Sequence, residues 1–108
     1  MLGRKFRLKK ESDFKRVYRR GRRERGLFFD FTFLRNYQGL RFGIVTTTAT
    51  IKKAVKRNLA KRVLRGMLIK NQDLWPKNCD LIIKIKKELE PKKEAEAELI
   101  SYFKRLNV

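Results

Sequence analysis

The chain contains no histidine, and its 108 residues include a single cysteine, Cys79, two prolines and one tryptophan. Without histidine the commonest general base is missing, and with one thiol the usual soft-metal ligand sets cannot be assembled. Cys79 has no partner for an intramolecular disulfide and reads as a small buried hydrophobe. No apolar run reaches the roughly 20 residues of a membrane span, and the opening MLGRKFRLKKESDF lacks a signal-peptide core. A cytoplasmic protein that holds no metal of its own is expected.

A second absence is local. From Phe31 through Gln72 there is no Asp or Glu, and over the whole chain 30 Lys and Arg face 11 acids, a net charge of +19. Such a surplus repels itself unless a polyanion neutralises it. Nucleic acid, an anionic membrane and an acidic protein all remain candidates on charge alone. With 42% hydrophobic residues, eight Phe and three Tyr, the chain has enough apolar surface for a folded domain, and one domain over 1–108 is expected. Five of the eleven acids fall between Glu88 and Glu98, where Lys92 and Lys93 are placed to pair with them on a solvated helix surface.

The element order reads α-β-β-α-β-α, an α+β class. Ser12 is a cap for a helix through about Arg20, with Phe14, Val17 and Tyr18 on one stripe and Gly21 as its stop. Leu27 to Leu34 alternates as a strand with Phe29, Phe31 and Phe33 on one face and Phe28, Asp30 and Thr32 on the other. A turn at Asn36 to Gly39 and a strand from Leu40 to Thr47 predict an antiparallel hairpin. A helix from near Thr50 to about Asn71 would bury Val55, Leu59, Val63 and Met67, at a cost of about 1 kcal/mol for Gly66. Trp75-Pro76 closes that connection. Cys79 to Lys86 is a third strand with Leu81, Ile83 and Ile85 inward and Ile82, Lys84 and Lys86 outward. Pro91 suits the first turn of a last helix carrying Ala95, Leu99, Phe103 and Leu106.

No hydrolytic centre can be built from these residues. Asp13, Asp30 and Asp80 are scattered and read as cap, turn or edge residues, and GIVTTTATIKK lacks the phosphate-loop pattern. The positive constellation is KRNLAKRVLR, Lys56 to Arg65, in which Arg57, Asn58, Lys61, Arg62 and Arg65 share one helix face. Arginine offers forked donors to phosphate, lysine a point charge, and Asn58 both a donor and an acceptor. Phe14 and Tyr18, one turn apart and bordered by Lys10, Lys15, Arg19 and Arg22, fit a platform for unpaired bases and equally a core stripe.

The spacing Arg57-Asn58, Lys61-Arg62, Arg65, preceded by Ala54-Val55, resembles the RN-x-x-KR-x-x-R signature of the bacterial ribonuclease P protein subunit. FRLKKESDFKRVYRRGRR, Arg41 to Ile44 and CDLIIKIKK extend the likeness over nearly the whole chain. The resemblance implies an α/β sandwich like the second domain of a small-subunit ribosomal protein, with a left-handed βαβ crossover. It implies a protein without catalytic residues that assists a catalytic RNA in removing the 5′ leader of precursor tRNA, with Mg²⁺ bound mainly by that RNA. Carried over by position, Lys53, Lys56, Arg57, Asn58, Lys61, Arg62 and Arg65 would face the catalytic RNA, and Lys10, Phe14, Tyr18, Lys84 and Lys86 the leader. TTTATIK before the signature and Gly66 after it depart from the family pattern. A ribosomal or general RNA-binding protein is the alternative reading. A membrane-active protein would need an apolar face that the core here consumes, and nothing in the chain calls for a small-molecule substrate.

Overall fold

The computed structural model describes residues 3–107. Helix α1 (Glu11–Arg20) is followed by strands β1 (Arg22–Arg25), β2 (Phe29–Arg35) and β3 (Arg41–Val45), helix α2 (Ala54–Lys70), strand β4 (Cys79–Ile85) and helix α3 (Lys92–Leu106). The expected α-β-β-α-β-α order therefore holds, with one further strand ahead of the Phe-rich one.

The sheet runs β1-β2-β4-β3. β4 takes the interior because it is apolar on both faces: Leu81, Ile83 and Ile85 face one way, Ile82 the other, and none has more than 1% of its surface exposed. β2 lies antiparallel to it, with Phe31 opposite Ile83, and β3 lies parallel to it, with Gly43 opposite Ile82. Helices cover both faces. On one, α1 seats Val17 over Ile82, flanked by Leu8, Phe14, Leu34 and Val45. On the other, α2 and α3 close the main core around Phe29, Phe31, Phe42, Leu64, Leu68, Leu99 and Phe103. Tyr102 stacks on Phe31 with ring centroids 3.8 Å apart and planes 7° from parallel.

The hand of the β3-α2-β4 unit follows from one hydrogen bond. Phe42 points into the α2 side of the sheet, and its carbonyl accepts from Leu8 N at 2.7 Å, on the edge away from β4. For an L-residue this puts β4 to the left of β3 when the sheet is viewed from α2 with both strands upward. The crossover is left-handed, against the strong general preference, as the family resemblance implied.

Several expectations are overturned. The Leu27–Leu34 and Leu40–Thr47 strands do not form a hairpin, since β4 separates β2 from β3; the hairpin partner of β2 is β1, whose RRER sequence has no apolar alternation to announce it. Phe28 precedes β2 and is buried in the main core, not on the face of Asp30 and Thr32. Asp30 lies inside β2 between β1 and β4, and Asp80 sits buried in β4, the other interior strand, so neither is a turn or edge residue. The outward row of β4 begins with Ile82, covered by α1. Ser12 lies within α1, whose N-cap is Lys10, and Pro91 is the N-cap of α3.

Of the four α2 residues expected in the core, Met67 is buried and Val63 packs against the core, but Val55 and Leu59 do not, because the core face is rotated toward the next position in the chain. Ala60, Leu64, Met67 and Leu68 are buried, whereas Val55 is 79% and Leu59 51% exposed. One position is about 100° of helix, enough to carry a side chain from core to solvent. Three of the acids between Glu88 and Glu98 bind other elements and not Lys92 or Lys93. Glu88 pairs with Lys56, Glu96 with Lys70, and the Glu98 carboxylate accepts the N–H groups of Leu27, Phe28 and Phe29 at 2.8, 3.1 and 2.9 Å.

Candidate nucleic-acid interface

The signature residues of α2 divide by helix face. Asn58, Lys61, Arg62 and Arg65 surround one hollow of about 630 Å³, which Gly66 and Ile69 complete. No carboxylate lines it. At Gly66 the hollow is open space, since a Cβ there would meet nothing within 4 Å. Arg57 stands apart: its Nη1 donates to the carbonyls of Ile51 at 3.0 Å and Lys52 at 2.8 Å and ties the preceding loop to the helix. Lys53 is the N-cap, and Lys56 turns toward Glu88, its Nζ 3.4 Å from the carboxylate.

The start of α2 is electrostatically unusual. Its first turn contains no acid and its N-cap no side-chain hydrogen bond, while Lys52, Lys53 and Lys56 crowd the positive end of the helix dipole. Like charges there oppose the fold and favour an incoming phosphate.

Helix α1 divides the residues of its own side of the sheet in the same way. Val17 points straight down, and Phe14 and Tyr18 lie on one flank. Phe14 settles onto Gly43, where a Cβ would come within 2.6 Å of its ring. Tyr18 is 39% exposed, with the Arg23 guanidinium 6.0 Å from its ring centroid. Burial raises its hydroxyl above the ordinary phenol range, with Arg23 opposing and Asp30 adding to the shift. Lys84 stands opposite Asp30 in the sheet, and Lys86 donates to Gly26 O at 2.9 Å and lies 3.5 Å from Asp30 Oδ1. Asp30 thus lies between the Tyr18 edge and the two lysines. Lys10 does not join this group; it lines a hollow on the opposite flank of α1 with Asp13, Arg16 and Arg20.

That second hollow, about 450 Å³, escapes a sequence-based search. At its floor Asp80 accepts from Arg41 Nε at 2.9 Å and Nη2 at 3.0 Å, from Arg16 Nη2 at 3.3 Å and from Asn36 Nδ2 at 2.7 Å. Hydrogen bonding to Asp80 holds the Arg41 guanidinium above its usual range, against the cost of burial. Asp13 joins through Arg16 at 3.0 Å and Arg41 at 3.5 Å. The sequence signal that was available is Tyr37, an aromatic in a turn between Arg35 and Arg41.

Among the described residues no group of three or more His, Cys, Asp and Glu is placed to hold a metal ion. Among these residues, too, no helix is long and apolar enough to cross a membrane.

A sandwich with one cation-lined helix face and an aromatic groove beside a basic sheet is a nucleic-acid-binding architecture. The Ribonuclease P family model matches residues 2–107, and the chain belongs to that family. It is 30% identical over 104 residues to the ribonuclease P protein component of Pelotomaculum thermopropionicum, covering 94% of this chain and 92% of that one. The corresponding protein of Desulfotalea psychrophila is 31% identical over 80 residues, 73% of this chain and 66% of that relative. The ribonuclease P protein of Thermotoga maritima shares the fold with a TM-score of 0.77 at 27% identity, covering 92% of this chain and 96% of that structure.

Proposed function

We propose that this chain is the protein subunit of a bacterial ribonuclease P, acting with a catalytic RNA to remove the 5′ leader of precursor tRNA. The observation that carries this reading is the face of Asn58, Lys61, Arg62 and Arg65 around one acid-free hollow on α2. Four polar groups on a rigid helix match a folded RNA backbone, with Asn58 suited to a base edge or a 2′-hydroxyl. Lys53 and Lys56 extend the contact to the helix start, and Arg57 shapes the loop beside it.

In this reading the leader lies along Phe14, Tyr18, Lys84 and Lys86: the aromatic rings stack on bases and the lysines neutralise phosphates. Lys10, on the other flank, contributes only long-range charge to the leader. The chemistry resides in the RNA subunit, and Mg²⁺ belongs to that RNA. This chain's own residues bind and orient. The cytoplasm, where tRNA precursors are processed, is the expected location.

Reconstitution tests the reading. The protein is added to a bacterial ribonuclease P RNA at low Mg²⁺, and cleavage of a precursor tRNA is timed. Faster cleavage than with RNA alone is expected; equal rates would remove the proposal.

A further inference from the structure

The 450 Å³ hollow beside Asp80 is not used by the reading above. Its walls carry five cations, Lys10, Arg16, Arg20, Arg35 and Arg41, against the carboxylates of Asp13 and Asp80. Both carboxylates are already engaged by Arg16 and Arg41. Among the described residues, Lys10, Arg20 and Arg35 have no carboxylate partner, so the accessible charge of the hollow is positive.

One wall ends in Tyr37, whose surface is fully exposed at 102%. An unpacked tyrosine costs solubility and contributes nothing to a core. Yet its turn is firmly built. Asn36 Oδ1 accepts from Gln38 N at 3.0 Å and Gly39 N at 3.1 Å, Asn36 Nδ2 donates to Asp80 at 2.7 Å, and Asn36 N donates to Asn78 O at 2.8 Å. Gly39 supplies the positive φ of 106° that the turn requires. The ring is therefore presented from a preorganised support at the rim of a cationic hollow.

We propose that this hollow is a second contact for unpaired RNA, with a base stacked on Tyr37 and the backbone held by Arg20 and Arg35. It lies on the flank of α1 opposite Phe14 and Tyr18, so a strand held there is separate from one in the aromatic groove. Stacking on an exposed ring beside paired cations is the usual way a protein holds single strands without reading their sequence. The inference shares with the proposed function only that the ligand is RNA. It needs no catalytic RNA.

The test uses the full chain, a ten-nucleotide single-stranded RNA labelled for anisotropy, and a Phe14→Ala/Tyr18→Ala background in which the aromatic groove is disabled. In that background Tyr37→Ala should weaken binding by about five- to 160-fold, the range for one lost base stack. Arg20→Ala/Arg35→Ala should flatten the plot of log affinity against log salt by about 1.4, from roughly 0.7 per phosphate contact on a single strand. All these side chains are at least partly exposed, and unchanged circular dichroism would verify folding. Unaltered affinity and slope in both variants would overturn the proposal, as would an acidic peptide that displaces no RNA while requiring the same residues. Cleavage in the reconstituted enzyme is a separate readout, so either proposal can fail alone.

Discussion

Arg41 and Asp80 stand opposite each other in the parallel β3-β4 ladder and form a two-pronged ion pair at 2.9 and 3.0 Å, on a carboxylate with no exposed surface. The pair clamps together the two strands joined by the left-handed crossover. Asp80→Ala removes the fully buried acceptor of Arg41, Arg16 and Asn36 and leaves the two arginines only the weaker contacts to Asp13. Breaking a buried pair from one side costs about 3–5 kcal/mol, and the partial exposure of Arg41 places this case near the lower end. Urea unfolding should show it, and Arg41→Lys, which keeps charge but loses the fork, should cost less.

The rotated face of α2 gives a sharper comparison. Leu64→Ala should cost about 2–5 kcal/mol, the usual range for a fully buried leucine. Leu59→Ala, at a side chain half in solvent, should cost well under half as much. Equal losses in urea unfolding would return the core to the arc containing Leu59.

That displacement also shows what the residues alone could convey. The apolar set of α2 is wide, running through Val55, Leu59, Ala60, Val63, Leu64, Met67 and Leu68, and periodicity cannot choose between adjacent arcs within it. The basic face was legible because charge is excluded from the core wherever the helix rotates. Sheet order was not: the Asn36 to Gly39 turn looks like a hairpin link, and only the long-range hydrogen bond of Asn36 to Asp80 reveals its other use. β1 was invisible because Arg22 to Arg25 form a strand through backbone pairing with β2, without an apolar face of their own. The handedness came from the family likeness, since local sequence contains no term for it.

Arg65 offers an electrostatic prediction. It lines the α2 hollow without a carboxylate nearby, so Arg65→Ala should weaken binding to ribonuclease P RNA and lower the salt slope by about 0.9 if one duplex phosphate contact is lost. Affinity measured across a series of salt concentrations separates this from a folding defect. An unchanged slope would remove Arg65 from the contact.

Cys79 links the fold to alkaline pH. Burial pushes its thiol up to about 12, the neighbouring Asp80 adds to the shift and Arg35 opposes it. The folded state therefore holds the proton more tightly than the unfolded chain. This contribution is fully present below the ordinary thiol range and is lost as pH rises from about 9 toward 12. A thiol reagent at pH 8 should label Cys79 only when urea opens the protein. Labelling of the native protein within minutes would contradict the burial.

Gly43 offers a way to move Phe14 without deleting it. The ring lies where a Cβ at residue 43 would stand, 2.6 Å from the nearest ring carbon, and Gly43 is also the β3 residue opposite Ile82. In Gly43→Ala either the ring tilts outward or α1 lifts from the sheet, because backbone pairing on β4 fixes the strand. Phe14 belongs to the proposed leader groove, so its displacement should reduce affinity for leader-bearing precursor tRNA more than for mature tRNA. Phe14→Ala should give the same selectivity, with a loss of about 1–3 kcal/mol for one stacked base. Combining the two should cost little beyond Phe14→Ala alone, since the ring that the added methyl group would displace is already gone. A double variant whose losses simply add would show that Gly43 acts by another route.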